Sequence, residues 1–150
     1  MFKRFVLSVL MGGIRAPHWV GEVGLLVLRA FAGLAMASHG WGKIPPSEQL
    51  VQGVASMGFA WPGVFAWLAA LSEFVGGILL AIGLLTRPAA FMIGSTMVVA
   101  AFVAHASDPF GKKELALLYL AVCIAFLTTG AGRLSIDGLL RAKLKLMHIG

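Results

Sequence analysis

Residues 61–85, WPGVFAWLAALSEFVGGILLAIGLL, decide the fold. One charged residue, Glu73, interrupts the run. The hydrocarbon core of a bilayer is about 30 Å thick and takes roughly 20 apolar residues of helix to cross, so a stretch this long predicts a membrane span. Working outward, residues 22–40, 88–106 and 115–132 meet the same requirement. Stop signals separate them: Gly40 to Pro46, then Thr86-Arg87-Pro88, then Ser107-Asp108-Pro109-Phe110-Gly111. The expectation is an all-α integral membrane four-helix bundle in a single domain covering residues 1–150.

Composition excludes the main competitors. Of the 150 residues 59% are hydrophobic and 12% charged, with mean hydropathy +0.93; a soluble domain carries about 25% charge. The net charge of +6 does not mark a nucleic-acid surface, because the basic residues sit at the ends of apolar runs. Cys123, the one cysteine, excludes an intrachain disulfide and CxxC chemistry, and is read as a small helix-packing residue.

Charge also orients the bundle. Lys3, Arg4, Arg15, Arg87, Arg133, Arg141, Lys143 and Lys145 fall on one side, against Lys43, Lys112 and Lys113 on the other. The positive-inside rule then predicts that both termini are cytoplasmic, in a bacterial inner membrane. Trp41 and Trp61 flank the outer loop as interfacial aromatics. Lys3-Arg4 followed by Phe5 to Ile14 resembles the start of a signal peptide, but Arg15-Ala16-Pro17 offers no small-residue cleavage site. That segment is expected to lie along the inner surface as a short interfacial helix. The basic and apolar mixture Leu139 to Met147 predicts a second one, serving as surface anchor or as a partner-docking helix. His18 and His148 read as surface residues near the chain ends.

Two charges lie well inside the spans, Arg29 and Glu73, and each costs about 2.5–3.5 kcal/mol at a helix centre unless it finds a partner or water. At 1.5 Å of rise per residue they differ in depth by roughly 10 Å, an offset that a long arginine and helix tilt could largely close. Gly33 lies one turn from Arg29, and Gly76 and Gly77 one turn from Glu73, so backbones can approach closely there. The expectation is a buried Arg29–Glu73 ionic site, either holding a proton or polar headgroup or fixing helix register. At the outer rim, His39, Lys43, His105, Asp108, Lys112 and Glu114 come to one face by alternation of the spans. His39 and His105 could ligate haem or a metal. Neither has a second histidine or a carboxylate at i+3 or i+4 within its helix, so a ligand-holding polar pocket or plain interface anchoring is the stronger reading, with no metal site assigned. Tyr119, one turn into the last span, needs a partner for its hydroxyl, which Glu114 or a histidine could supply, or else it is an interfacial aromatic.

These residues occur in motifs that resemble the DoxX family of small four-helix membrane proteins: Leu28-Arg29-Ala30 with Gly33, His39-Gly40-Trp41-Gly42-Lys43, Glu73-Phe74-Val75-Gly76-Gly77, Gly83-Leu84-Leu85-Thr86-Arg87-Pro88-Ala89-Ala90, and Glu114-Leu115-Ala116-Leu117-Leu118-Tyr119 leading to Gly130-Ala131-Gly132-Arg133-Leu134-Ser135-Ile136-Asp137. The resemblance covers about residues 22–138. It implies a membrane subunit of a redox complex, quinone-linked in the manner of thiosulfate:quinone oxidoreductase or associated with oxidative stress. There is no nucleotide-binding glycine loop, cysteine pair or paired haem motif in the sequence, so an electron-transferring protein partner is implied. The alternatives are a noncatalytic anchor for a soluble partner and a small-solute transporter. Whether the polar faces close within one bundle or across a homo-oligomer stays open.

Overall fold

A computed structural model describes residues 18–147; the basic segment before His18, expected at the inner surface, and His148 lie outside the described residues. Among the described residues six α-helices follow one another: α1 (His18–Trp41), α2 (Glu48–Ser56), α3 (Pro62–Ile82), α4 (Thr86–Val99), α5 (Phe110–Thr129) and α6 (Ile136–Met147). One π-helical turn, Ala100–Ala104, prolongs α4. The described residues contain no strand.

Three helical stretches, Trp19–Trp41, Pro62–Ile82 and Thr86–Ala104, are long and apolar enough to cross a membrane. The helix at the position of the expected fourth span, α5, has 20 residues but is not among these three; it packs beside α4 and its π turn. Its first residues include Lys112, Lys113 and Glu114, so the helix begins five positions before the uncharged run that starts at Leu115. The α2 helix, in a stretch that hydropathy leaves as a loop, starts at a local cap: Ser47 Oγ accepts from the Leu50 N–H at 3.2 Å.

Close backbone approach organises the bundle. A Cβ placed on Gly33 would strike the backbone of Gly77 and Ala81, and one on Gly77 would strike Ala37 and Gly33; Gly40 meets the backbone of Glu73 and Phe74 in the same way. With no hydrophobic force to drive helices together in lipid, such a small-residue seam lets α1 and α3 gain packing contacts and fixes their register. On the other side of α3, Ser72 Oγ and Thr96 Oγ1 share a hydrogen bond of 2.6 Å with α4. The centre is filled by Met36, Leu80, Ala89, Ala90, Ile93, Met97, Cys123 and Phe126. Cys123 is buried, and a Cβ on Gly94 would lie 3.3 Å from its own Cβ, which makes it a packing residue between α4 and α5.

The outside is apolar. Phe31 on α1 is 75% exposed and Phe91 on α4 65%, with Val27, Leu34, Phe102 and Leu118 also outward. A monomeric soluble protein does not carry a continuous belt of this kind, whereas acyl chains solvate it without cost.

Candidate functional site

The two buried charges do not meet. Glu73, 2% exposed, pairs instead with Lys43, whose Nζ lies 2.6 and 2.7 Å from the two carboxylate oxygens. Arg29, 1% exposed, donates from Nε to Ala81 O at 3.2 Å, from one terminal nitrogen to Ala131 O at 2.6 Å and from the other to Leu134 O at 2.9 Å. The reason is directional. Helical side chains lean toward their own N-terminus; α1 starts at the inner end and α3 at the outer end, so Arg29 leans inward and Glu73 outward. Ala81, where Arg29 docks, lies eight residues beyond Glu73 on α3, about 12 Å of rise. The expected Arg29–Glu73 ionic site is therefore two separate ones.

Arg29 takes up carbonyls that the end of α3 and the loop after α5 leave without helical partners, and its charge sits at the negative end of the α3 dipole. Gly83 makes this possible: φ is +71°, and a Cβ there would fall 2.5 Å from the Arg29 guanidinium. Glu22, one helix face nearer the N-terminus, accepts from the Arg133 N–H at 2.5 Å. These contacts lock the 130–135 loop onto α1 and leave the Arg29 guanidinium committed to backbone.

At the outer end the picture differs. Glu73 and Lys43 stand in the wall of a cavity of about 160 Å³ that also presents His39, His105, Lys112 and Tyr119, with Met36, Met97, Ala100, Leu115 and Ala116 as its apolar lining. Tyr119 meets His39 edge to face, ring centroids 6.3 Å apart at 85°, and its hydroxyl makes no hydrogen bond among the described residues. The His105 N–H bonds to Ala100 O at 3.0 Å, five residues back, so the π turn adds one residue to that stretch of helix and changes the phase at which His105 emerges. Such turns recur at functional positions. His105 Nδ1 lies 2.7 Å from Asp108 Oδ2. That hydrogen bond, with slight desolvation opposing it and Lys112 and Lys113 reinforcing it, holds the Asp108 carboxyl below its ordinary pKa. An ionised Asp108 makes Nδ1 the donor and leaves Nε2 as the acceptor of the neutral ring.

The sequence profile of DoxX matches residues 24–106, a span that includes Arg29, His39, Lys43, Glu73 and His105. The chain belongs to the DoxX family. It is 34% identical over 126 residues to "Inner membrane protein YqjF" of Escherichia coli strain K12, covering 81% of this chain and 95% of that protein. It is 32% identical over 117 residues to a Bacillus subtilis protein named "Putative oxidoreductase CatD", covering 77% of this chain and 86% of that one. No solved structure matches. Family and apolar helices together make this a bacterial inner-membrane protein.

In this DoxX chain the structure thus gathers six of the nine residues that the sequence assigns to the buried site and outer rim, His39, Lys43, Glu73, His105, Lys112 and Tyr119, around one cavity. Arg29 belongs to the opposite end. Glu114 is exposed and does not line the cavity, so Tyr119 is met by His39 rather than by Glu114. Met36 and Met97 line the cavity without having been named as ligand-facing residues by any motif. Among the described residues no group of three or more His, Cys, Asp or Glu side chains is placed to hold a metal.

Proposed function

We propose that this DoxX chain is the membrane subunit of a quinone-linked redox complex and that its outer cavity receives the quinone headgroup. The observation that carries the reading is the pairing of buried Glu73 with the partly exposed Lys43 in the cavity wall beside Tyr119 and His39. A charged pair in an apolar wall is costly, and such residues mark proton or substrate sites in membrane proteins. The donor set fits a quinone: Lys43 Nζ and the Tyr119 hydroxyl can donate to carbonyl oxygens, and Met36, Met97 and Leu115 offer an apolar bed for a ring.

A quinone, when bound, supplies two-electron, two-proton redox capacity. The chain's part is acid–base. Lys43 Nζ holds protons at the cavity wall, Glu73 fixes that ammonium in place through both carboxylate oxygens, and the exposed His39 ring links the cavity to water. Electrons come from a partner protein in this reading, which the lack of a cysteine pair, nucleotide-binding glycine loop or paired haem motif in the sequence supports. The relative named as an oxidoreductase agrees with this role.

The test is a titration of the protein, purified in mild detergent with co-purifying partners retained, with a short-chain ubiquinone followed by tryptophan fluorescence. Saturable quenching that Glu73→Gln and Tyr119→Phe weaken supports the proposal. Absence of binding, alone and with partners, overturns it in favour of a noncatalytic anchor. Solute flux into liposomes abolished by Glu73→Gln would overturn it in favour of a transporter.

A further inference from the structure

A second cavity is at the other end of the bundle. It measures about 420 Å³ and lies between the start of α4 and the face of α6, with Leu85, Pro88, Leu140 and Leu144 as apolar wall and Arg87 and Arg141 at its polar edge. The two arginines belong to segments 54 residues apart in sequence, yet both approach Gly130: a Cβ placed there would lie 3.9 Å from Arg87 Nε and 3.9 Å from an Arg141 terminal nitrogen. Each is only partly used by the protein. Arg87 donates one terminal N–H to Thr128 O at 3.2 Å, and Arg141 donates Nε to Asp137 O at 3.3 Å. Five donors per guanidinium exceed those contacts. Asp137, the carboxylate that lines the same cavity, is occupied by the Leu85 and Thr86 N–H groups at 2.9 and 3.0 Å.

We infer that this cavity binds the phosphate headgroup of an anionic phospholipid, held between Arg87 and Arg141, with its acyl chains against Leu85, Pro88, Leu140 and Leu144. Two guanidinium forks matched to one phosphate give charge-assisted, bidentate recognition that neutral headgroups do not satisfy as well. Lipid is the occupant because the cavity combines a basic edge with an apolar wall, and because α6 lays exposed Leu139, Leu140 and Leu144 beside Arg141 and Lys143, the pattern of a helix lying in the interface. It is also the end of the bundle that the lysine and arginine count places at the cytoplasmic leaflet, where basic pockets meet anionic headgroups. The bound lipid would join α6 to the α4 turn.

The full chain in an uncharged detergent is the material for the test. Thermal unfolding and native mass spectrometry are recorded with added phosphatidylglycerol, phosphatidylcholine or inorganic phosphate. Phosphatidylglycerol is expected to raise Tm and remain as a discrete adduct, while phosphatidylcholine and phosphate do neither. Arg141→Gln, which removes an exposed side chain of α6 with one hydrogen bond to Asp137 O within its own helix, is expected to weaken phosphatidylglycerol binding about tenfold, as loss of one charged hydrogen-bond partner predicts. Arg87→Gln should do the same, and Lys113→Gln at the far end should leave phosphatidylglycerol binding unchanged. Equal stabilisation by phosphate or phosphatidylcholine, or full retention of the adduct in Arg141→Gln, would overturn the proposal.

Discussion

Asp137 caps a helix to which it does not belong. Its two carboxylate oxygens accept from the Leu85 and Thr86 N–H groups at the start of α4, at 2.9 and 3.0 Å, while its own N–H donates to Gly83 O at 2.9 Å. Leu85, in the N-cap position with φ +49°, makes no side-chain cap, so the last helix of the chain supplies what the inner turn lacks. A carboxylate beside the positive end of α4 is favourable as well as hydrogen-bonded.

Asp137→Asn is expected to destabilise the bundle by about 0.5–2 kcal/mol, the usual range for a lost cap, and to alter its acid sensitivity. Burial alone would raise the Asp137 carboxyl. The Thr86 and Leu85 N–H groups, the neighbouring Thr86 hydroxyl, for which no well-formed hydrogen bond exists, and Arg141 outweigh it and hold the pKa below the ordinary value. A folded-state pKa below the unfolded value of about 3.9 means that the stabilisation is complete above that pH and is lost as pH falls through the lower folded value. Melting curves in detergent between neutral and strongly acidic pH should therefore show the wild-type advantage over Asp137→Asn vanish at the acid end. An advantage that persisted there would remove the carboxylate from the cap.

Arg29→Lys should not substitute for arginine. The guanidinium serves three carbonyls from two segments at once, and an ammonium cannot reproduce that fork. Because hydrogen bonds from charged groups contribute roughly 1.5–3 kcal/mol each, loss of two of the three predicts a sharp fall in Tm. Quinone binding per folded molecule should stay unchanged, since Arg29 is remote from the outer cavity. A selective loss of binding with Tm unaltered would return Arg29 to the functional site.

Arg29 and Glu73 announce themselves in the sequence as the charges inside apolar runs, and their burial follows from that alone. Their partners do not. Pairing depends on which way each side chain leans, and the two lean apart because α1 and α3 are antiparallel. Lys43 was placed at the outer rim, but nothing in hydropathy says that Glu73 reaches it. The α1–α3 seam was legible in Gly33 and Gly77, whereas the π turn at Ala100–Ala104 left no trace: AAFVA contains neither proline nor glycine, and its geometry comes from packing. Nor does a 20-residue hydropathy window register a short amphipathic helix such as α2, although Ser47 before Glu48 carries the cap signal.

Gly77→Ala tests the seam. Its added methyl would fall against the backbone of Ala37 and Gly33, which cannot move aside as a flexible side chain would, so α1 and α3 must separate. Overpacking of this kind costs about 1–3 kcal/mol. Gly21→Ala, where nothing lies within 4 Å, is the matched control and should leave Tm unchanged or slightly raised, since alanine favours the helix. Equal melting temperatures for the two variants would contradict the seam.

The Lys43–Glu73 pair makes a prediction about sign. Replacing Lys43 by Met leaves a carboxylate that is 2% exposed without its cation, and stranding a buried charge costs more than removing both partners, though less than the roughly 3–5 kcal/mol of a fully buried pair because Lys43 is itself 39% exposed. The double variant Lys43→Met with Glu73→Gln should accordingly melt above Lys43→Met alone. Both should lose quinone affinity, because the donor at Lys43 Nζ is absent from each. A double-mutant cycle on Tm, run beside the fluorescence titration, separates the two contributions. If the pair were only a register device, the double variant would regain stability and keep its affinity; if it is the proton-holding wall of the cavity, stability returns and binding does not.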